Sequence, residues 1–280
     1  MGGSFKKITF NRNAYTRVYK NIVPSGSLTA NCPYDLVYIL KAQENNVDLK
    51  YSLRSICKFC TFRNIWFVGY KPSWTKNVNF IQTYQNEGKW KNSMINYLAA
   101  CNCPDISENF ILMNDDFFAI KRIDDWKHEL NVCLGTLEEE HEKYKSIEKR
   151  SRWQYAFEYA IDLLDELNCT SHYNYETHLP IIINKQKFIE MMNLPELVAF
   201  QETPKVLHKR SVYKNLFNDN TEPARIIKDV KVELDKDLTD DFLQEKWLSV
   251  FDNVIGDIKR FPRMNQYLGA MFSNKCKFEV

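Results

Sequence analysis

The chain has 280 residues, of which 44% are hydrophobic and 14% aromatic, so it predicts a globular protein with a sizeable core. Its 38 basic and 36 acidic residues give a net charge of +2, which argues against a protein whose main role is to neutralise nucleic acid phosphates. No run of about 18 apolar residues occurs, so no transmembrane helix is expected. The N-terminus lacks the apolar core of a signal peptide, which predicts a cytoplasmic protein.

Three apolar runs predict strands in the first half of the chain. They are YDLVYIL (34–40), NIWFVGY (64–70) and VNFIQT (78–83), and residues 1–30 before them read as a polar, irregular lead-in. Between the first two runs, VDLKYSLRSICKFC (47–60) repeats apolar residues at helical spacing, with Asp48 as the expected N-cap. A strand, a helix and a strand in succession make a βαβ unit, which implies a parallel pair and a right-handed crossover.

The alternation continues with a helix over KWKNSMINYLAAC (89–101) and an apolar run, NFILMNDDFFAI (109–120). Beyond Asp125, residues 135–167 predict a long helix or a helical pair, 178–194 a short apolar segment and a helix, and 239–261 a further helix. We therefore predict an α/β fold: a Rossmann-like, mostly parallel sheet flanked by helices, with a helical C-terminal part. Residues 1–130 would form the α/β core, and residues 131–280 a mainly helical part packed on it.

The chain has eight cysteines. Two closely spaced pairs, Cys57 with Cys60 and Cys101 with Cys103, could in principle supply the four thiolates of a structural zinc site. The second pair has an unusual one-residue gap, and neither pair lies in a glycine-rich turn of the knuckle type. Cys57 and Cys60 fall on one face of the predicted helix, which is typical of small buried apolar side chains. We predict reduced thiols and no zinc site.

Asp115 and Asp116 interrupt the apolar run 109–120. Successive side chains of a strand point to opposite faces, so the pair must lie at or near the C-terminal end of the strand. Ligands of open α/β sheets bind at that edge. Together with Asn114, the carboxylates offer hard oxygen ligands for Mg²⁺ or Mn²⁺, which would neutralise charge on a leaving diphosphate. The alternative is that one Asp caps a turn while the other is exposed to solvent.

Four motifs in this order resemble the central region of the Stealth family, the sugar-phosphate transferases of microbial capsule synthesis together with the animal N-acetylglucosamine phosphotransferase of lysosomal sorting. They are DLKYSLRSICKF (48–59), the apolar strand after it, KPSWTKNVNFIQ (71–82) and FILMNDDFF (110–118). The resemblance covers residues 34–125. It implies a transferase that uses a nucleotide-sugar donor, bound by residues 1–130, with Mg²⁺ or Mn²⁺ as cofactor.

The resemblance also assigns roles near the carboxylates. Asp115 and Asp116 match the family's metal-binding and catalytic aspartates, and Asn114 matches the Asn before them. Arg54 matches an arginine of the helix motif, whose guanidinium could hold donor phosphate oxygens in a bidentate manner.

Two later segments carry further candidates. KNSMINYLAAC (91–101) is similar to the family's FNS-x-x-IE helix, so Asn92 and Ser93 are candidate donor-binding residues. Lys91 could meet donor phosphates at the N-terminus of this helix, or could simply be exposed beside a core tryptophan. THLPIIINKQKFIEM (177–191) aligns His178 with the family's catalytic histidine, a general base for the acceptor hydroxyl or else a structural histidine. Arg210, or alternatively His208, stands for the late arginine region, so Arg210 is a further catalytic candidate.

We therefore expect a metal-dependent transferase that moves a glycosyl or sugar-1-phosphate unit to a hydroxyl on a glycan or on a modified nucleobase in DNA. The first segment, YDLVYILKAQENN (34–46), lacks the DGSD part of the family's segment, so Asp35 is interpreted as structural. For the same reason, transfer of the glycosyl unit and transfer of sugar-1-phosphate are both retained as alternatives. A non-catalytic protein that binds nucleotide-sugar or nucleic acid on a transferase fold is the alternative. It would bind a donor without turnover.

Overall fold

The computed structural model describes residues 15–19 (backbone only), 32–217, 224–240, 242–250 and 254–280. Its strands in chain order are β1 (Tyr15–Tyr19), β2 (Asp35–Ile39), β3 (Ile65–Gly69), β4 (Asn79–Thr83), β5 (Asn109–Met113), β6 (Phe117–Ala119), β7 (Val132–Cys133), β8 (Ile181–Asn184), β9 (Arg225–Ile226), β10 (Lys231–Val232) and β11 (Trp247–Val250). Its helices are α1 (Val47–Phe59), α2 (Lys89–Cys101), α3 (Trp126–Glu129), α4 (Leu137–Lys145), α5 (Arg152–Glu166), α6 (Lys185–Met192), α7 (Pro195–Gln201), α8 (Lys209–Leu216) and α9 (Pro262–Met271).

Six strands form the main sheet, in the order β1-β4-β3-β2-β5-β8. β2 to β5 are parallel to one another, and β1 and β8 pair antiparallel at the two edges. From β2 the chain runs outward to β3 and β4, and then returns to place β5 on the other side of β2. This reversal is a topological switch point, and in open α/β sheets ligands bind beyond the carboxyl ends of the two strands that flank it.

Both faces of the sheet are covered, because the apolar strands alternate their side chains between two buried clusters. Val37 of β2 faces a cluster that includes α2, α5, α6 and α8, whereas Leu36 faces a cluster that includes α1. Central strands buried on both faces are typical of parallel sheets. The predicted α/β fold, a mostly parallel sheet flanked by helices, is confirmed.

A second sheet, in the order β10-β11-β6, continues from the switch point. β6 pairs antiparallel with β11, and β11 pairs parallel with β10. In this register, Ser249 of β11 lies opposite Phe117 of β6 and opposite Lys231 of β10. Because Asp116 directly precedes Phe117, three distant parts of the chain meet at the carboxyl edge of the main sheet.

Residues 131–280 contribute more than helices. α4 and α5 are the helical pair predicted over 135–167. β8 joins the main sheet beside β5, so the segment that carries His178 runs directly into an edge strand. No helix among the described residues is both long enough and apolar enough to cross a membrane.

Three details of the sequence-based prediction are wrong. The N-cap of α1 is Asn46, whose side chain accepts from the Leu49 backbone N–H, and Asp48 lies inside the first turn. The segment 239–261, predicted as a helix, contains the strand β11. All four residues of β11, Trp247 to Val250, are buried, and such a short run has no periodicity that distinguishes a strand from a helix. The predicted lead-in contains the edge strand β1, while residues 1–14 and 20–31 lie outside the described part.

Candidate active site

Asp115 and Asp116 lie in the turn between β5 and β6, at the carboxyl edge beside β2. β5 ends at Met113 and β6 begins at Phe117, so the pair follows the strand, as the alternation of faces requires. Asn114 is exposed directly before the pair. The topology therefore places both carboxylates where an open α/β sheet binds its ligand.

Asp115 is tied to the start of α1. The Asn46 side-chain oxygen accepts from the Leu49 backbone N–H at 2.8 Å, which leaves its amide NH₂ to donate to Asp115 Oδ2 at 2.6 Å. Asn46 is 2% exposed, so this single amide both caps the helix and fixes the carboxylate. The loop after β2 thereby positions a side chain that follows β5.

Asp116 faces the second sheet. Ser249 Oγ donates to its Oδ2 at 3.1 Å, while its Oδ1 is buried and accepts no hydrogen bond from any described residue. Burial, and next the charge of Asp115, raise the pKa of Asp116 to about 6, although Lys231, Ser249 and His178 act in the opposite direction. A buried carboxylate oxygen without a partner is costly in free energy, and a bound cation would satisfy it.

These carboxylates fit a divalent metal that a phosphorylated ligand helps to hold. Within the described ranges, no group of three or more His, Cys, Asp or Glu side chains is arranged to hold a metal by itself. Mg²⁺ is usually bound through one or two carboxylates together with substrate phosphates. Asp115 and Asp116, with the unpartnered Oδ1 of Asp116, supply that smaller set.

His178 is close enough to Asp116 to influence the pKa of that carboxyl group, and it is held by Asp229. Its Nδ1 is 2.6 Å from Asp229 Oδ2, and its backbone N–H donates to Oδ1 at 3.3 Å. Because an ionised carboxylate only accepts, the proton of a neutral imidazole sits on Nδ1 and the lone pair sits on Nε2. Lys231 Nζ lies 3.3 Å from that Nε2. The ring thus has the orientation of a general base, with an ammonium group against its basic nitrogen.

Arg210 holds the backbone on both sides of His178. Its Nη1 donates to the Thr177 carbonyl at 2.5 Å, its Nη2 donates to the Leu179 carbonyl, and its guanidinium lies 5.8 Å from the centre of the Phe117 ring. The structure therefore places Arg210 behind the histidine segment. From there its guanidinium holds the backbone that carries His178.

His208, the alternative to Arg210, is buried directly before the first residue of α8. It is 2% exposed, its ring centre is 4.1 Å from that of Phe157, and its Nδ1 is 3.8 Å from Glu176 Oε2. Glu176 in turn accepts from the backbone N–H groups of Arg210 and Ser211 at the start of α8. These contacts anchor the helix that carries Arg210.

The structure does not bring Arg54 to the carboxylates. Eight residues along α1 from the Asn46 cap, or roughly 12 Å of helix rise, it donates from Nε and Nη2 to Glu279 at 2.7 Å each and from Nη1 to the Phe272 carbonyl at 2.9 Å. These bonds clamp the C-terminal segment onto α1. Its predicted contact with donor phosphate is not supported, because the bidentate face of the guanidinium is occupied by Glu279.

Lys91, Asn92 and Ser93 lie near the start of α2, which follows β4 at the same edge of the sheet. Asn92 exchanges two hydrogen bonds with the Glu87 backbone, at 2.6 and 3.1 Å, and so closes the turn before the helix. Lys91 is exposed and pairs with Glu87 at 3.2 Å. Ser93 is half-buried. In the strand order, β3 and β2 separate this turn from β5 and its carboxylates.

The loops after β2, β3 and β4 interlock at this edge. Gln85 donates to the Leu40 carbonyl at 2.6 Å and accepts from the Ala42 backbone N–H at 3.0 Å. Gly69 has a φ of +109°, and an added Cβ would lie 2.2 Å from the Leu40 oxygen. Only glycine allows this close approach, which holds the β2 loop against the end of β3.

Sequence reasoning missed four polar residues of the site: Asn46, Asp229, Lys231 and Ser249. Their contacts span 51 to 133 residues, apart from the local cap of Asn46. Asn46 directly before the helical pattern was a detectable N-cap signal. For the other three, only the pairing of β10, β11 and β6 defines the neighbours, and nothing in the local sequence indicates that pairing.

No protein-family model and no curated protein matches the chain, so the Stealth resemblance stays an expectation. The chain is similar to solved structures of glycosyltransferases, three of which follow. LgtC, a galactosyltransferase in complex with donor and acceptor sugar analogs, is 11% identical over 87% of this chain and 98% of that chain, with a TM-score of 0.45. Mouse xyloside xylosyltransferase 1 is 11% identical over 81% and 98%, with a TM-score of 0.40. GlyE of Streptococcus pneumoniae TIGR4 is 12% identical over 68% of this chain, which spans 44% of GlyE, with a TM-score of 0.36.

Proposed function

We propose that this chain is a divalent-metal-dependent transferase that uses a nucleotide-sugar donor and moves its glycosyl unit to an acceptor hydroxyl. One observation carries the proposal: at the switch point of the sheet, the buried and unpartnered Oδ1 of Asp116 lies beside a second carboxylate and near a histidine oriented as a base. A metal-bound diphosphate and an acceptor hydroxyl are the ligands that such a set can serve.

Asp115 and Asp116 would hold Mg²⁺ or Mn²⁺ together with oxygens of the donor diphosphate. The bound ion would neutralise the charge that develops on the leaving diphosphate. This role accounts for the buried Oδ1 of Asp116, a residue whose raised pKa makes its charged form unfavourable until a cation is present.

His178 would activate the acceptor. Its Nε2 takes the proton of the acceptor hydroxyl, the hydroxyl oxygen bonds to the anomeric carbon, and the bond from that carbon to the diphosphate oxygen breaks with its electron pair leaving on the nucleoside diphosphate. Asp229 would stabilise the imidazolium that forms, since its carboxylate accepts the hydrogen bond from Nδ1–H.

We also propose roles for the remaining predicted residues around the carboxylates. Residues 1–130 would bind the donor, with exposed Asn114 and the α2 residues Lys91, Asn92 and Ser93 on the donor side, and residues 131–280 would supply His178. The acceptor we propose is a glycan hydroxyl. A hydroxylated nucleobase in DNA, and transfer of sugar-1-phosphate in place of the sugar, are outcomes that the product distinguishes.

The first experiment is a thermal-shift screen of UDP-, GDP-, CMP- and TDP-sugars, each with and without Mn²⁺. A donor at 100 times its Kd should stabilise the protein by about 2.7 kcal/mol, and only when Mn²⁺ is present. The matching donor is then incubated with glycan and hydroxymethylated DNA acceptors, and the products are analysed by mass spectrometry. No stabilisation by any donor would overturn the proposal, and stabilisation without turnover on any acceptor would favour the non-catalytic alternative.

A further inference from the structure

Lys231 lies against the proposed base, but the proposed reaction gives it no role. Its Nζ is 3.3 Å from His178 Nε2. Since Asp229 accepts the hydrogen bond from Nδ1–H, Nε2 carries the lone pair and the ammonium group donates to it. This hydrogen bond occupies the atom that must accept the hydroxyl proton. His178 can therefore act as a base only after the ammonium group has moved.

The second sheet also brings Lys231 to the carboxylate side of the site. Lys231 lies opposite Ser249 in the strand register, and Ser249 donates to Asp116. The charge of Lys231 is close enough to favour the ionised form of Asp116. A divalent cation on Asp116 would repel this ammonium group, and an anion that contacts both cations would remove that repulsion.

The diphosphate of a nucleotide-sugar is such an anion. A lysine ammonium is a compact charge with three rotatable donors on a flexible stem, which suits it to phosphate oxygens. Within the part of the chain that the structure describes, three carboxylates, Asp115, Asp116 and Asp229, and the ammonium group of Lys231 face the site. Lys231 is therefore the cation of this cluster that a metal-bound diphosphate would meet.

We propose that Lys231 binds the donor diphosphate and that its transfer from His178 Nε2 to a phosphate oxygen uncovers the base. This inference rests on the proposed function. The base is covered while the donor is absent and uncovered when the donor is bound, so the donor must bind before an acceptor can be activated. No covalent bond changes in this step, because only a hydrogen bond is exchanged.

The test compares wild type with Lys231→Met, Lys231→Arg and the control Lys236→Met, which removes the same charge from an exposed lysine of the same region. Calorimetry with Mn²⁺ measures the Kd of the nucleoside diphosphate and of the monophosphate with the same base. Lys231→Met should weaken diphosphate binding by about 10- to 100-fold, the range expected for a charge-assisted hydrogen bond, and monophosphate binding by less than about twofold. Lys231→Arg should restore most of the diphosphate affinity, and Lys236→Met should match wild type.

The outcomes separate the inference from the proposed function. If wild type binds no nucleoside diphosphate with Mn²⁺, the proposed function fails and this inference fails with it. If wild type binds it and Lys231→Met binds it equally well, only the inference is overturned. An equal loss of diphosphate and monophosphate affinity in Lys231→Met would also overturn it, because Lys231 would then only support the shape of the site.

The uncovering of the base is measured separately. In ¹⁵N-histidine-labelled protein with Mg²⁺, the His178 Nε2 resonance, assigned with a His178→Gln variant, should shift when the nucleoside diphosphate is added. In Lys231→Met it should already lie near the ligand-bound position before addition. A resonance that lies at the same position in unliganded wild type and unliganded Lys231→Met would contradict the uncovering.

Discussion

His178 and Asp229 are joined at two points, because the carboxylate accepts both from the ring Nδ1 at 2.6 Å and from the His178 backbone N–H at 3.3 Å. Burial alone would raise the pKa of Asp229, but the hydrogen bonds from the ring and the backbone of His178 oppose burial, and that pKa is lowered. Asp229 therefore stays ionised at neutral pH and fixes the tautomer of the ring. The pair has the geometry of a base and its orienting group.

Asp229→Asn tests that assignment while keeping the side-chain shape. Because an amide NH₂ can donate to Nδ1, the variant would favour the opposite tautomer, and kcat should fall by about 10²- to 10⁴-fold. Donor affinity should change by less than about twofold. Steady-state kinetics and calorimetry measure the two effects, with Asp124→Asn on the exposed surface as the control. A parallel loss of donor affinity would make His178 and Asp229 structural.

The stability of the metal-free protein should depend on pH through Asp116. Burial and the neighbouring Asp115 raise its pKa from 3.8 to about 6, so the folded protein binds this proton more tightly than the unfolded chain does. The contribution of Asp116 to stability therefore falls as the pH rises from about 4 to about 6. At neutral pH the ionised Asp116 destabilises the fold, and Asp116→Asn removes that charge. The variant should therefore be about 1–3 kcal/mol more stable than wild type at neutral pH.

Urea unfolding at several pH values, with chelator present, measures this difference. The stability gap between Asp116→Asn and wild type should widen as the pH increases across the interval and then stay constant. A variant less stable than wild type at neutral pH would mean that the carboxylate already has a favourable partner. The same variant should lose the donor-dependent stabilisation by Mn²⁺.

Arg210→Lys should slow transfer without abolishing donor binding. A lysine ammonium cannot bond the Thr177 and Leu179 carbonyls with the planar fork that Arg210 uses, so the His178 segment should loosen. We expect a loss of about 1–3 kcal/mol in unfolding free energy and a fall in kcat larger than any rise in donor KM. Lys214→Arg, on the same helix, is the matched control. Unchanged kcat with lowered stability would remove the positioning role.

Arg54→Gln should destabilise the fold and leave the donor site intact. The side chains of Arg54 and Glu279 are 16% and 4% exposed, and breaking a buried pair by removing one partner costs about 3–5 kcal/mol, less here because Arg54 still meets some solvent. The double variant Arg54→Gln with Glu279→Gln should recover part of the loss, since no buried charge is left unpaired. Nucleoside diphosphate affinity should match wild type. A tenfold weaker affinity in the folded single variant would return Arg54 to the donor site.

Elements with strong local signals could be predicted from the sequence. α2 spans the predicted residues 89–101, and β2, β3 and β4 lie within the three apolar runs. The end of β5 before Asp115 followed from the alternation of faces alone. These features depend on periodicity and strand chemistry, which a single sequence contains.

The features that the sequence did not predict depend on contacts between distant parts of the chain. The sequence predicts a helix where β11 lies, because so short a run shows no clear periodicity of apolar residues. The pairing with β6 and β10 is what makes it a strand. Asp229 and Lys231 can be recognised as site residues only from their contacts with His178 in the folded chain. Arg54 illustrates the same dependence on tertiary structure, because its guanidinium is bonded to Glu279 from the far end of the chain.

The most direct test of the central claim is anomalous diffraction at the manganese edge from crystals grown with Mn²⁺ and the nucleoside diphosphate found in the donor screen. We predict one strong peak in contact with Asp116 Oδ1 and the diphosphate oxygens, with Asp115 beside it, and no such peak in Asp116→Asn. Nucleoside diphosphate bound at this edge without a manganese peak, or a peak held by other residues, would contradict the account.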